Sequence, residues 1–275
     1  MKSILITGCS SGIGYAAAQQ MRARGWRVFA ACRQTEDCAR LKAEGFDSPQ
    51  IDYADANSID AGLTEVLNAT GGTLDALFNN GAHATPGAVE DLPTDGLRAL
   101  FEANFFGWHT LTRAVIPVMR AQRHGRIVQC SSVLGFVTMP WRGAYNASKH
   151  ALEGLTSTLR IEMRGSGIHI CLIEPGPVTS RFRVNAVKHF ERWIDWQASP
   201  HADRYKTSLM KRLYAENKGP DPFELPPEAV VKKLIHAVES PRPRPRYFVT
   251  VPTHLMGVLK RILPTRALDW VLTRA

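Results

Sequence analysis

A tyrosine and a lysine four residues apart, Tyr145 and Lys149, are the side chains of this sequence with the clearest potential for chemistry. In a helix, this spacing places both side chains on one face. A free phenol has a pKa near ~10, and a neighbouring ammonium lowers that pKa because it favours the phenolate. The pair therefore predicts a tyrosine that transfers protons near neutral pH, although an isolated pair of this kind is more often a packed ring beside a solvated charge.

A glycine-rich segment, Thr7-Gly8-Cys9-Ser10-Ser11-Gly12-Ile13-Gly14, joins the first predicted strand to the first predicted helix. Glycines permit a tight turn and a close approach of the backbone to a pyrophosphate. The N-terminus of the helix then supplies free N–H groups and the positive end of its dipole. Because the segment lies in a strand–helix–strand unit, it predicts a dinucleotide site rather than a simple turn.

The elements that must position these residues alternate between strand and helix patterns, which is typical of a parallel sheet flanked by helices. Strands are predicted at residues 3–7, 27–32, a short stretch ending at 51, 74–78, 126–130, 168–173 and 246–251. Helices are predicted at residues 13–24, 95–120 and 144–164, and Pro117 is expected to kink or shorten the second of them. We therefore predict a single Rossmann-type α/β domain at residues 1–251, with a doubly wound parallel sheet of about seven strands.

Two segments depart from this alternation. Residues 177–227, after the sixth predicted strand, show weak periodicity and no evident strand. Ligands of open α/β sheets lie beyond the carboxyl ends of the strands, so we interpret this segment as a substrate lid. Residues 252–275 form an amphipathic basic extension, and much of the net charge of +9 belongs to residues 241–275. The extension is a candidate for contact with an anionic membrane, for covering the pocket, or for packing on a partner subunit.

Composition is that of an ordinary globular protein, with 44% hydrophobic and 21% charged residues. The five cysteines are scattered and form no CxxC pair, and no apolar run is long enough to cross a bilayer, so we expect a reduced, cytoplasmic protein. The nine histidines form no HxxxH or HExxH pattern, so no metal site is predicted. Nucleic acid is not an expected partner, because the basic residues accompany no recognised nucleic-acid-binding fold.

Several motifs together resemble those of the classical short-chain dehydrogenase/reductases, over about residues 2–251. They are the TGxxxGxG spacing at residues 7–14, the turn Asn79-Asn80-Gly81, Asn104, Ser132, the YxxxK pair and Pro175-Gly176. The chain looks closest to a subgroup that includes retinol, 17β-hydroxysteroid and bacterial aldehyde reductases. It departs from the family at Gly81-Ala82, where relatives usually have alanine before glycine, which leaves the geometry of this loop open.

The resemblance implies a role for each catalytic position. Tyr145 would be the acid/base, and Lys149 would lower its pKa and hold the nicotinamide ribose. Ser132 would hydrogen-bond the substrate oxygen, and Asn104 would anchor a water that relays protons through Lys149. The position of Asn104 supports this role, because a polar amide that interrupts an apolar helical stripe needs a partner. The alternative is a satisfied structural amide.

The cofactor implied by the resemblance is NADP(H). NAD-using relatives carry an acidic residue at the end of the second strand, where this chain has Cys32 followed by Arg33. A 2′-phosphate favours a cation there, so Arg33, helped by Ser10 or Ser11, would select NADP(H), unless Arg33 is only a solvated surface charge. The residues implied to bind the cofactor are Gly8, Ser10, Ser11, Gly12, Ile13, Arg33, Asp52, Asn80, Gly81, Tyr145, Lys149, Pro175, Gly176, Val178 and Thr179.

Apolar and aromatic residues predicted to wall the pocket favour a hydrophobic aldehyde or ketone as the substrate. They are Phe136, Val137, Met139, Trp141, Phe182, Phe190, Trp193 and Trp196, and the alternative is that half of them are core residues. We therefore expect an NADP(H)-dependent oxidoreductase that interconverts such a carbonyl and its alcohol. The alternative is a non-catalytic NADP(H) sensor or scaffold on the same fold. Relatives pair through the helix at residues 95–120, which implies a homodimer or homotetramer.

Overall fold

The computed structural model describes residues 1–215, 219 and 221–274. Within these residues, the chain forms one parallel sheet with the strand order β2-β1-β3-β4-β5-β6. The strands are β1 Ser3–Thr7, β2 Arg27–Ala31, β3 Ala76–Asn79, β4 Gly125–Cys130, β5 Ile168–Glu174 and β6 Arg246–Phe248. Most strand residues are buried, as expected for a parallel sheet with helices on both faces. The predicted doubly wound α/β fold is confirmed, with six strands in the described ranges instead of about seven.

Helices follow the strands and cover the sheet. They are α1 Gly12–Ala23, α2 Thr35–Ala43, α3 Ala56–Thr70, α4 Thr94–Phe101, α5 Gly107–Gln122, α6 Gly143–Glu162, α7 Phe182–Trp193, α8 Ala202–Arg204, α9 Met210–Leu213, α10 Glu228–Glu239, α11 Val251–Ile262 and α12 Thr265–Leu272. Short 3-10 turns occur at Val89–Asp91 and Val133–Gly135, and π-helical segments at Glu102–Phe106 and Tyr205–Leu209. Among the described residues, no helix is both long and apolar enough to pass through a bilayer.

The prediction of a strand ending at residue 51 is wrong, because this segment touches β2 only through isolated bridges at Asp47 and Gln50. Between the two bridges, Ser48 donates its hydroxyl to the carbonyl of Ala30 at 2.7 Å. Pro49 has no backbone N–H to donate. The Ala30 carbonyl therefore accepts a side-chain hydroxyl where a continuous ladder would give it the backbone N–H of residue 49, and the ladder is interrupted there.

The helix predicted at residues 95–120 is present as α4, the π-helical segment Glu102–Phe106 and α5 in direct succession. The helix continues past Pro117 to Gln122, so the proline does not shorten it. Pro117 is exposed, and water can therefore bond the carbonyl that lost its partner. Asn104 lies in the middle of the π-helical segment and is buried.

The segment predicted as a lid is mostly helical, with α7, α8 and α9 as its main elements. An isolated bridge between Val178 and Leu225 joins its two ends. Residues 216–218 and 220 of the predicted lid lie outside the described residues. The last strand ends at Phe248 instead of residue 251, because α11 begins at Val251 with a proline in its first turn. The division of the chain after residue 251 stays a prediction.

Two hydrophobic clusters form the interior. The first lies between the sheet and its covering helices and includes all the strand cores. The second, called the lid cluster below, joins α6, the helices after β5 and the C-terminal extension. Its buried members include Tyr145, Phe190, Tyr205, Leu213 and Met256. Because Tyr145 belongs to the lid cluster, the packing of the lid and the extension determines how far water is excluded from the side chain of the predicted acid/base.

Candidate active site

The loop between β1 and α1 forms a backbone cradle that side chains would fill. Gly8 has a φ of 69°, and a Cβ there would lie 2.6 Å from the Cα of Gly81. A Cβ on Gly14 would lie 2.3 Å from the carbonyl oxygen of Gly8. Ser11, at the N-cap of α1, makes no side-chain cap bond, so the first N–H groups of this helix are available to an anion. The cradle therefore fits the pyrophosphate of a dinucleotide.

The turn after β3 is bonded to this loop through Thr7. The Thr7 hydroxyl accepts the backbone N–H of Asn80 at 2.9 Å, and Asn80 Nδ2 donates to the Thr7 carbonyl at 3.1 Å. A Cβ on Gly81 would lie 3.4 Å from Gly8, close to an ordinary contact distance. Position 81 therefore does not require glycine, and the reversed order Gly81-Ala82 leaves the loop bonded to β1.

Tyr145 and Lys149 lie on α6, and both side chains are buried. Lys149 Nζ donates to the carbonyl of Cys130, at the end of β4, at 2.8 Å. The same ammonium lies 4.2 Å from the centroid of the Trp108 ring and 5.6 Å from the centroid of the Tyr145 ring. The predicted juxtaposition of phenol and ammonium is therefore present, with Trp108 as a neighbour that the sequence pattern did not indicate.

The electrostatics of the phenol differ from the prediction. Burial raises the pKa of Tyr145, and the Cys130 thiol adds to this rise, whereas the Ser132 hydroxyl and the Arg142 guanidinium lower it. Burial also lowers the pKa of Lys149 to about 8. The expected lowering of the Tyr145 pKa by Lys149 is not found. The ammonium donates to the Cys130 carbonyl and faces the Trp108 ring, and burial of the phenol is the largest influence on its pKa.

Asn104 is fully buried, with its side chain committed to protein groups. Its Oδ1 accepts the backbone N–H of His83 at 3.0 Å. Its Nδ2 donates to the His83 carbonyl at 2.8 Å and to the Ser148 hydroxyl at 3.4 Å. The amide thus ties the loop after β3 to α6, which is the arrangement of a satisfied structural residue, and its predicted water-anchoring role stays a prediction.

Most of the predicted site residues converge on one cavity with a volume of about 760 Å³, a size within the usual range for small-molecule sites. The predicted residues that line it are Gly8, Ser10, Ser11, Gly12, Ile13, Asn80, Gly81, Ser132, Tyr145, Lys149, Pro175, Gly176, Val178 and Thr179. Asn104, Arg33 and Asp52 do not line it. Arg33 is exposed just after β2, and the Asp52 carboxylate accepts the backbone N–H of Ala54 at 3.0 Å.

The predicted apolar wall is largely wrong. Among the described residues, Met139 and Phe182 are its only members that line the cavity, and Phe182 packs edge-on against the Tyr145 ring with the centroids 5.3 Å apart. The other predicted wall residues pack in or against the lid cluster, and they are Phe136, Val137, Trp141, Phe190, Trp193 and Trp196. The rest of the apolar lining comes from aliphatic residues that the sequence analysis did not select, and it includes Ala84, Leu134, Ala186, Leu209 and Leu213.

Arginines also line the cavity, which the sequence alone did not indicate. They are Arg142, Arg181, Arg183 and Arg212. Arg212 pairs with Asp221 at 3.2 Å, so its charge has a partner. Arg142 stands three residues before Tyr145, and this proximity was the only signal in the sequence that could have drawn attention to it.

Two histidines join the lid to the rest of the site. The rings of His83, after β3, and His189, on α7, stack with their centroids 3.7 Å apart and their planes inclined by 12°. Burial lowers the pKa of His83 to about 3, and burial also lowers the pKa of His189. The nearby charge of Arg33 lowers both values further. Both rings are therefore neutral near pH 7, and the stack holds α7 against the loop after β3.

Comparison with known proteins settles the family. The short chain dehydrogenase family model matches residues 2–190 of this chain. The chain belongs to the short-chain dehydrogenase family. The resemblance found in the sequence is thereby confirmed. A nicotinamide cofactor and oxidoreductase chemistry follow from this membership, and the glycine cradle described above fits such a cofactor.

The similarity of this short-chain dehydrogenase to known proteins extends over nearly its whole length. It is 41% identical over 272 residues to the uncharacterized oxidoreductase YbbO of Escherichia coli strain K12, covering 98% of this chain and 94% of the relative. It is 30% identical to the NADPH-dependent 3-dehydrocapnine reductase of Ornithobacterium rhinotracheale, covering 98% and 95%. A short-chain dehydrogenase/reductase of Burkholderia phymatum, solved in complex with NAD, superposes with a TM-score of 0.76 at 25% identity, covering 95% and 92%.

Proposed function

We propose that this short-chain dehydrogenase is an NADPH-dependent reductase of hydrophobic aldehydes or ketones, with Tyr145 as the acid. The observation that carries the proposal is the position of the Tyr145 and Lys149 side chains in the cavity that the glycine cradle also lines. The cradle supplies a place for the cofactor, and the pair supplies a proton donor beside a cation. A relative described as an NADPH-dependent reductase, 30% identical, supports the direction and the cofactor.

When bound, the reduced nicotinamide supplies a hydride to the carbonyl carbon of the substrate. In the proposed reaction, the Tyr145 phenol gives its proton to the carbonyl oxygen as negative charge develops there. The raised pKa of Tyr145 keeps the phenol protonated at neutral pH, which suits reduction rather than oxidation. Lys149 places a positive charge beside the phenolate that remains, and the Ser132 hydroxyl orients the substrate oxygen.

The choice of NADPH over NADH rests on the end of β2. Cys32 is buried, and burial raises the pKa of its thiol to about 12, so no anion stands where a ribose diol would need one. Arg33 follows it and is exposed, which suits a 2′-phosphate. The Burkholderia phymatum structure contains NAD, so the two cofactors must be compared directly on this chain.

The first experiment is NADPH and NADH oxidation by the purified protein with apolar aldehydes, retinal and steroid ketones. We expect NADPH consumption with at least one apolar class. Tyr145→Phe should lower kcat by a factor on the order of 10² to 10⁴ while NADPH still binds, because the variant loses only the proton donor. Tight NADPH binding without turnover of any carbonyl would instead favour a cofactor sensor or scaffold.

The proposed oligomer is a homodimer or homotetramer assembled through the π-helical segment, α5 and α6. The Phe106 side chain is 47% exposed and Leu155 is 37% exposed, which leaves apolar surface on these helices. A second copy of the chain would cover it. Light scattering after size-exclusion chromatography should give a mass that is a multiple of 30.5 kDa, and Phe106→Glu should shift it to the monomer.

The C-terminal extension is proposed to contact an anionic membrane surface. One face of α11 packs on the lid cluster through Met256, while Val251, Leu255, Val258 and Ile262 form an exposed apolar stripe at helical spacing. Exposed lysine and arginine residues flank this stripe. Co-sedimentation with anionic vesicles should weaken in Leu255→Glu and should be weaker with neutral vesicles. Equal sedimentation of the full chain and the Leu255→Glu variant would contradict the proposal and favour a partner subunit.

A further inference from the structure

Arg142 lies at the N-terminus of α6, close in sequence to the proposed proton donor Tyr145. Its backbone pairs with Gly87 in an isolated bridge, and its carbonyl accepts the N–H of Asn146 at 2.8 Å. The residue occupies the N-cap position of α6, three residues before Tyr145, and its side chain lines the cavity. The backbone of Arg142 is thus held in place, and the residue lines the cavity.

Among the described residues, the guanidinium of Arg142 has no partner that would explain its position. Within residues 1–215, 219 and 221–274, its side chain makes no hydrogen bond and no ion pair. Arg212 faces it with the same charge, and the favourable charge of Asp221 is shared with Arg212 at 3.2 Å. Burial lowers the pKa of Arg142, which indicates a cation that has lost water and that the described acidic groups do not fully compensate.

A partly buried cation that stays charged is costly unless an anion meets it. The Tyr145 phenol does not provide that anion in the resting site, because burial raises the pKa of Tyr145 and keeps it neutral. None of the described residues supplies it either, so a ligand bound in the cavity would be its source. A guanidinium presents two parallel N–H groups that match the oxygens of a carboxylate, sulfonate or phosphate.

The surroundings of Arg142 also specify the rest of that ligand. The cavity is also lined by Met139, Leu209 and Leu213, whose side chains offer apolar contacts. A molecule that satisfies both features has an acidic group and a hydrocarbon chain. Neither a sugar nor a neutral hydrocarbon aldehyde would use the arginine and the apolar wall together.

We propose that Arg142 binds an acidic group of the substrate, so that the preferred substrate is an acidic amphiphile with its reacting carbonyl close to that group. This inference rests on the proposed function, since it concerns the same cavity and the same carbonyl reduction. Arg142 then acts as a specificity determinant, selecting the charged head of the substrate while the apolar wall accepts its chain.

The test compares medium-chain oxo acids with their methyl esters, which have the same chain and carbonyl but no charge. The measured quantity is the ratio of kcat/KM for the acid to kcat/KM for the ester, with NADPH saturating. We expect the wild-type chain to prefer the acid by ~10-fold or more. Arg142→Gln should lower this ratio by ~10- to 100-fold, since it removes a charge-assisted contact. Arg142→Lys should keep part of the preference, because it retains the charge without the planar fork.

The matched control is Arg164→Gln, which removes the same charge from an exposed residue beyond the other end of α6. Its ratio should stay within about twofold of the wild-type ratio. Using a ratio cancels any effect of Arg142 on the proton transfer by Tyr145, because that effect lowers both rates alike. Equal losses for acid and ester in Arg142→Gln would overturn the proposal and leave Arg142 as a positioning residue for Tyr145.

Two further outcomes separate this proposal from the proposed function. In the first outcome, the wild-type chain reduces the carbonyl of aldehydes and of the oxo-acid methyl esters but shows no preference for the oxo acids. The proposed carbonyl reductase then stands, and the Arg142 inference falls. If nothing is reduced, the reductase falls, and calorimetric titration of the NADP⁺-loaded chain with decanoate and with methyl decanoate still tests Arg142. Weaker decanoate binding in Arg142→Gln, without a matching loss for the ester, supports the inference. An Arg142→Gln variant that changes only the affinity for NADPH contradicts it.

Discussion

The Lys149 ammonium lies 4.2 Å from the centroid of the Trp108 ring, and the ring is fully buried. A cation over an indole face gains electrostatic stabilisation that is largest where water is excluded. Burial lowers the pKa of Lys149 to about 8, so this lysine loses its proton only slightly above neutral pH. Trp108 therefore helps to keep the proposed catalytic cation charged.

Trp108→Leu should move the alkaline limb of the kcat profile to lower pH. Loss of a cation–π contact worth about 0.5 to 2 kcal/mol corresponds to about 0.4 to 1.5 pH units. Trp108→Phe is the matched control, since both variants lose the hydrogen bond from Trp108 Nε1 to the Gly81 carbonyl but only the leucine loses the aromatic face. Identical alkaline limbs in the two variants would show that the ring face contributes nothing to Lys149.

Arg33→Asp should reverse the cofactor preference. The substitution removes the cation proposed to bind the 2′-phosphate and provides a carboxylate that a ribose diol can bond. We expect the ratio of kcat/KM for NADPH to kcat/KM for NADH to fall by ~10- to 100-fold or more. Arg164→Asp makes the same charge change far along the chain and should leave the ratio within about twofold. An unchanged ratio in Arg33→Asp would mean that Arg33 is a solvated surface charge.

Two glycine-to-alanine changes in helices should have opposite effects. A Cβ on Gly14 would lie 2.3 Å from the Gly8 carbonyl oxygen, whereas a Cβ on Gly154 meets nothing within 4 Å. Gly14→Ala should destabilise the chain by about 1 to 3 kcal/mol and weaken NADPH binding at least ~10-fold, because the cradle must move. Gly154→Ala should stabilise α6 by about 0.5 to 1 kcal/mol. Thermal unfolding and a fluorescence titration with NADPH measure both effects, and equal shifts in the two variants would contradict the cradle.

A buried carboxyl pair should make stability depend on pH. Arg246 binds both Glu174, at the end of β5, and Glu153, one turn after Lys149 on α6. Burial raises the pKa of Glu174 above its ordinary 4.5, and the like charge of Glu153 raises it further, although Arg246 opposes the rise. One oxygen of each carboxyl group is buried with no partner among the described residues, and a proton on Glu174 would join the two.

The folded chain thus holds the Glu174 proton more tightly than the unfolded chain. The stability from this proton is complete below about pH 4.5 and is lost as the pH rises toward the folded-state pKa. Glu174→Gln keeps an N–H donor at this position but does not titrate. The free energy of unfolding should therefore fall less in the variant than in the wild type between pH 5 and 8, and the difference should be on the order of 1 to 3 kcal/mol. Urea unfolding across this range measures the difference, with the exposed Glu162→Gln as control. Parallel profiles for the wild type and Glu174→Gln would exclude a raised pKa.

Local features of the sequence predicted much of this protein correctly. The glycine loop, the helix that carries Tyr145 and Lys149, and most of the strands follow from spacing, periodicity and glycine placement within short stretches of chain. These properties are local because turn geometry and helical faces depend on near neighbours. The error at residue 51 is also local in origin, since Pro49 lacks the N–H that the ladder needed and the Ser48 hydroxyl bonds the Ala30 carbonyl in its place, which a count of apolar residues does not register.

The burial of each side chain and the residues that it contacts were decided only by the tertiary structure. The apolar wall was misassigned because the aromatic residues of the lid pack on one another, and leucines from α9 and the preceding π-helical segment reach the cavity in their place. The raised pKa of Tyr145 and the lowered pKa of Arg142 depend on which distant segments exclude water from them. The sequence alone determined which residue types are available and how neighbours along the chain are spaced. The solvation of each group depends on long-range packing, and it is solvation that sets the free energies of charged and proton-transferring side chains.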